Sequence, residues 1–174
     1  MGEYFRLKPN IYMKLFNTLV KPVLLYMADL WGCLKMPKND PIDALQIKFL
    51  KQLLGVQTQT TNIGIFLETG ELPLSIFAKK NCIKNWTRIM RNKANKLIKV
   101  TVENSEKEKL LWFEKIKDEL FSIGLGDFFM SVKDTTDHTE QIYFQRKSDI
   151  FHQNAFGKIT EESRKLRTYA LLKK

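Results

Sequence analysis

Apolar residues recur at steps of three and four along most of this chain, and no other feature constrains its fold as strongly. That spacing gathers side chains on one face of a helix but scatters them over both faces of a strand. Strand-like alternation is scarce, so the expected class is all-α, an irregular bundle of about six helices, divisible into two helical subdomains. At 174 residues, 44% of them hydrophobic and including 12 Phe, 5 Tyr and 3 Trp, the chain has the material for a core and not the composition of a disordered segment.

Helix boundaries are written in the caps. The first helical segment is predicted over 12–31, with Phe16, Leu19, Val23, Tyr26 and Leu30 on a common stripe and a kink or break at Pro22, which has no amide hydrogen. A second begins with Asp40 as cap and Pro41 in the first position, carries Asp43 three residues after the cap, and stops at Gly55. Ile42, Leu45, Phe49, Leu50 and Leu53 form its expected buried face. A third, over 61–68, stops at Gly70, and a fourth starts at Pro73 and reaches at least Met90. The fifth, 110–123, is closed by Gly124 and the sixth, 139–156, by Gly157. The polar stretch 101–109, with Glu103, Glu106 and Glu108, reads as a connection between a region 1–100 and a region 110–174. Residues 168–174 read as the opening of a helix that continues in a longer protein.

The charge is lopsided: 29 Lys and Arg against 19 Asp and Glu, a formal +10. A polyanion suits such a chain, because each phosphate neutralised by Lys or Arg releases a condensed counterion. On a wheel of the fourth helix, Lys80, Lys84, Arg88 and Arg91 fall within an arc of about 80° opposite Ala78, Cys82, Trp86, Ile89 and Met90. No acid on that helix interrupts them. Lys93, Lys96 and Lys99 continue the positive run, and Asn81, Asn85 and Asn92 flank it with groups that also meet phosphate oxygens. A second basic patch, Arg164, Lys165 and Arg167, stands beside Tyr169, an arrangement that grips a backbone and stacks a base. The bland alternatives are a solvated helix face and a frayed cationic terminus.

Signals for catalysis fail one by one. The run Tyr26-Met27-Ala28-Asp29 lacks the neighbouring carboxylates that two-metal chemistry needs. Asp134, Asp137, His138 and Glu140 read as a solvated cap before a helix rather than a cation site. His152 stands one helical turn from Ser148 with no nucleophile motif around it, and no glycine loop cradles a phosphate. Trp86, Trp112, Phe113 and Phe151 fall at core positions. No catalytic residue, metal or cofactor is expected. Cys33 and Cys82 lack metal-ligand spacing and are expected as reduced thiols. With no secretory signal and no apolar run near the ~20 residues of a spanning helix, the expectation is an intracellular protein away from membranes.

Residues Leu15-Phe16-Asn17-Thr18-Leu19-Val20-Lys21-Pro22-Val23-Leu24-Leu25-Tyr26, with Trp31-Gly32, resemble the L-F-x-x-L-V-x-P-x-L-L-Y-G-x-E-x-W-G stretch found downstream of the polymerase palm in the non-LTR (LINE-like) retrotransposon reverse transcriptases of animals. Phe49-Leu50-Lys51 and Leu54-Gly55-Val56 follow, and Glu68-Thr69-Gly70-Glu71-Leu72-Pro73-Leu74 is similar to E-x-G-x-x-P-L. Trp86 stands where a Tyr-Trp pair is usual. Trp112 through Gly124-Leu125 resembles the W…I…L…G-L block, Asp149-Ile150-Phe151-His152-Gln153 with Phe156 resembles D-x-F-x-Q-x-W, and Lys165-Leu166-Arg167-Thr168-Tyr169 resembles K-L-R-x-Y. Each motif is weak alone; their shared order carries the resemblance across nearly the whole chain. Met27 stands in place of the family's glycine, Asp29 of its glutamate, Asn85 of its tyrosine and Phe156 of its last tryptophan.

The resemblance implies a thumb-like helical region with a C-terminal extension that holds template-primer beside a palm. The catalytic aspartates of such a palm have no counterpart in these residues. The expected role is therefore non-catalytic nucleic-acid binding, to RNA, DNA or a hybrid duplex through backbone phosphates, in a nuclear or cytoplasmic ribonucleoprotein. The alternatives are a helical module for a protein partner, or a relic of a retroelement without function.

Overall fold

The computed structural model describes residues 8–34, 40–91, 96–97, 100–101, 104, 111–131 and 138–161. Among them every regular element is helical, and the protein is all-α. No described helix is long and apolar enough to cross a membrane.

Helix α1 (Pro9–Leu15) passes through a π-helical turn, Phe16–Val20, into α2 (Lys21–Leu24). Pro22 lies in the first turn of α2, and the wide turn ahead of it lets the backbone continue. The break expected at Pro22 comes instead at Met27, whose φ of 56° and ψ of 18° are left-handed. A new short helix, α3 (Ala28–Trp31), starts there, braced by the Trp31 indole donating to the Tyr26 carbonyl at 2.9 Å.

The common stripe read for the first segment lies mostly outside the core. Phe16 is buried, at 3% exposure, but Leu19 (63%), Val23 (73%), Tyr26 (75%) and Leu30 (48%) face outward. Past the break the buried residues are the small ones, Ala28 and Gly32 one turn apart, with Cys33 next to them. A Cβ on Gly32 would collide with the carbonyl of Ala78 in α6 (Leu74–Met90), so α3 lies against α6 nearly backbone to backbone. Close approach selects small side chains on the facing side and turns the large ones away.

Helix α4 (Pro41–Leu54) has the predicted ends: Asp40 Oδ1 accepts from the Ile42 N–H at 3.1 Å, and Gly55 takes φ 65°. Its buried face differs from expectation. Leu50 and Gln46 are buried, whereas Leu45 is exposed and Ile42, Phe49 and Leu53 are half-buried. Gln46 is satisfied at both ends: Nε2 donates to the Leu72 carbonyl at 3.0 Å and Oε1 accepts from the Leu74 N–H at 2.9 Å. Asp43 does not serve its own helix start. It accepts from the Ser75 N–H (2.8 Å) and hydroxyl (2.6 Å), so α4 caps α6. Burial pushes the Asp43 carboxyl up, and the Ser75 hydrogen bonds only partly oppose this.

Helix α5 (Asn62–Thr69) ends at Gly70, φ 68°, and packs Ile65 and Phe66 against Leu50 of α4. The main core gathers Cys82, Ile83, Trp86, Ile89 and Met90 of α6 with Phe113, Ile116 and Leu120 of α7 (Leu111–Ser122) and Tyr143 of α9 (Thr139–Glu161). Between α7 and α9 lies α8 (Gly126–Met130), which the sequence did not announce; its Phe129 stacks on Trp86 at 5.2 Å. Trp86 and Phe113 are thus packing residues, as read, with Trp112 half-buried against the same cluster and Phe151 edge-on to Phe66.

Gly157 does not close α9, which runs on to Glu161. A glycine ends a helix only when the chain turns left-handed there, as at Gly124 with φ 70°. Of the expected connection 101–109, Thr101 and Asn104 are helical and exposed, and 102–103 and 105–109 lie outside the described residues.

One polar cluster ties α6, α7 and α9 together. Glu119 of α7 meets Lys79 of α6 at 2.8 Å and Lys147 of α9 at 2.6 Å, and accepts from the Tyr143 hydroxyl at 2.9 Å. Burial alone would raise the Glu119 carboxyl, but the two lysines outweigh it and hold the group below its ordinary range. Burial and the nearby carboxylate push the Tyr143 phenol far up. Cys33 and Cys82 are both free and buried in the main core; hydrogen bonding to Cys82 and burial push the Cys33 thiol far up.

Candidate functional site

The four cations expected to act together on the fourth helix are all in place along α6, with Arg91 as its last-turn cap. The neighbouring helices divide them. Lys80 is half-buried and holds its ammonium 4.6 Å from the centre of the Phe144 ring in α9. Phe144 leans on Phe77, centroids 5.1 Å apart, and Lys21 of α2 sits 3.5 Å over that second ring. Burial lowers the Lys21 pKa, only partly offset by Glu71, and Lys80 adds to the lowering. Arg91 is half-buried and donates to the Thr139 hydroxyl at 2.9 Å, at the buried start of α9. Lys80 and Arg91 therefore help to seat α9 on α6.

Lys84 and Arg88 are exposed. They border a shallow depression of about 230 Å³, lined also by Leu25, Asp29, Asn81 and Asn85. Arg88 donates to Asn85 Oδ1 at 3.0 Å, which holds the guanidinium over the rim. Asn81 and Asn85, expected to flank the basic face, thus line one hollow with two of its cations. The wheel did not show the acid. Asp29, brought in by α3, lines the same hollow, and among the described residues it forms no ion pair with Lys84 or Arg88. Periodicity within α6 carries no information about a residue that arrives from another helix.

Lys96 is helical and exposed, whereas Asn92, Lys93 and Lys99 lie outside the described residues. So do Arg164, Lys165, Arg167 and Tyr169 of the second patch, and Asp134 and Asp137 of the acidic cluster. His138 is exposed, and its carbonyl accepts from the Gln141 and Ile142 amides at 3.0 Å each, starting α9.

The site is a mixed hollow: two exposed cations, two amides, one carboxylate and an apolar wall from Leu25. Such a set holds an anion at its rim and offers both donors and an acceptor to a polar ring edge. Set against known proteins, the chain matches no family model, no curated protein and no solved structure.

Proposed function

We propose that this chain is a non-catalytic, thumb-like part of a non-LTR retrotransposon reverse transcriptase that holds nucleic acid by its backbone. The observation that carries the reading is the exposed pair Lys84 and Arg88, one turn apart on α6, with no acidic partner within ion-pair distance among the described residues. Free cations at that spacing meet phosphates, and the formal charge of +10 supplies the longer-range attraction.

Backbone geometry supports the family resemblance. Met27, standing where the family has glycine, is the one non-glycine residue with positive φ among those described. A left-handed position is where glycine is favoured. Gly32 of the Trp-Gly pair is required by its contact with α6, and Gly70 and Gly124, in two further motifs, both take positive φ. These motif residues shape turns and close approaches, not chemistry.

A second reading, a helical module for a protein partner, is favoured by the exposed apolar residues Leu19, Val23, Tyr26 and Leu30. Fluorescence anisotropy with single-stranded RNA, duplex DNA and an RNA–DNA hybrid over a salt series separates the two. Nucleic-acid holding gives binding that falls steeply with salt, and reversing Lys84 and Arg88 to Glu weakens it for all sequences alike and flattens the slope by about 0.9 per lost duplex phosphate contact. Absence of binding at low salt removes the first reading and leaves the second.

A further inference from the structure

The hollow beside Lys84 and Arg88 holds a group that backbone gripping does not use. A lone phosphate site gains nothing from a carboxylate, yet Asp29 lines this one together with Asn81, Asn85 and Leu25. We propose that the hollow receives a single unpaired guanine of a bound strand, with Asp29 reading its Watson–Crick edge while Lys84 and Arg88 hold the flanking phosphates. The inference rests on the backbone-holding reading above and adds base preference to it.

The chemistry of the edges selects guanine. An ionised carboxylate only accepts, through two oxygens side by side. Guanine offers two neighbouring donors, the N1–H and the N2 amine, and matches both. Uracil offers one donor between two carbonyls, which repel a carboxylate. Cytosine and adenine each place a ring-nitrogen acceptor beside their amine. The amide of Asn81 is available to donate to the guanine O6, whereas the Asn85 carbonyl is already engaged by Arg88. Leu25 provides an apolar wall for the ring face. At about 230 Å³ the space is below the roughly 300–1,000 Å³ of pockets that engulf a whole drug-sized ligand, so it suits one base with its sugar outside. Base pairing hides the Watson–Crick edge, so the guanine must be unpaired.

The test uses the full chain and labelled uridine-rich RNA oligomers that differ only in one central residue. Guanine in the centre should bind about tenfold tighter than adenine, cytosine, uracil or inosine, the last lacking only the N2 amine. Asp29→Asn should abolish that preference, so that the guanine-centred oligomer binds no tighter than the uridine one. As a check independent of any variant, guanosine 5′-monophosphate should shift the side-chain amide resonances of Asn81 and Asn85, and inosine 5′-monophosphate should shift them less at equal concentration. Salt-dependent binding that is indifferent to the central base, or a guanine preference that survives Asp29→Asn, overturns the guanine pocket and leaves backbone holding intact. No binding of any oligomer at low salt overturns both.

Discussion

Gly32 lies so close to the carbonyl of Ala78 that α3 and α6 meet with no side chain between them on the α3 side. This contact sets the position of Asp29 and Leu25 against α6, and so builds one wall of the hollow. Gly32→Ala places a methyl group on a backbone oxygen that cannot swing aside. The expected cost is about 2–3 kcal/mol, read as a lower urea midpoint at unchanged slope, with a loss of any ligand response at Asn81 and Asn85. A variant as stable as the parent would show that α3 is not seated on α6 in solution.

Met27→Gly should stabilise the protein. The left-handed conformation costs a side-chain-bearing residue about 1–2 kcal/mol, and the greater freedom of glycine in the unfolded chain returns roughly half of that. A net gain of about 0.5–1 kcal/mol is expected by chemical denaturation. A loss would mean that the Met27 side chain, half exposed, contributes more through contact than its backbone costs.

Glu119 links acid stability to the seating of α6, α7 and α9. Lys79 and Lys147 hold its folded pKa below the ordinary value of 4.5, so its contribution is complete above 4.5 and is lost as pH falls through the lowered folded value. Glu119→Gln leaves two partly buried lysines and the Tyr143 hydroxyl without their carboxylate. The expected loss is about 2 kcal/mol at neutral pH, less than for a fully buried pair because both lysines reach solvent. Unfolding curves across acidic pH should show the gap between variant and parent closing as the parent's carboxyl protonates. A gap constant with pH would refute the ionised cluster.

The four cations of α6 should divide into two functional pairs. Lys80→Ala removes an ammonium from the Phe144 face and Arg91→Ala a donor from Thr139, each costing about 1 kcal/mol of stability. Neither should change nucleic-acid affinity as much as the same change at Lys84 or Arg88, where stability should move by less than about 0.5 kcal/mol. Paired thermal melts and anisotropy titrations of the four variants check this. Equal effects on binding from all four would mean that α9 leaves α6 when nucleic acid binds.

The helical class and most helix ends were legible because their causes are local. Asp40 bonds two residues ahead to Ile42, and Gly55, Gly70 and Gly124 turn the chain left-handed at the residue itself. The apolar spacing of α6 likewise placed Trp86, Cys82 and Ile89 inside and Lys84 outside without reference to any other segment.

Burial and partnership were decided only in tertiary structure. Leu19, Val23, Tyr26 and Leu30 have the spacing of a buried stripe and are exposed, because the turn at Met27 and the close contact at Gly32 present the small residues to α6 instead. Gln46 and Glu119 look like surface residues by type, yet each is drawn into the interior by partners from distant segments that satisfy it. Asp29 reaches the basic hollow, and Lys80 and Arg91 leave it for α9, by the same logic. Periodicity reports which side chains share a face of one helix; which faces meet depends on the approach distance and on polar groups finding partners across the chain, and neither is encoded in any short window of sequence.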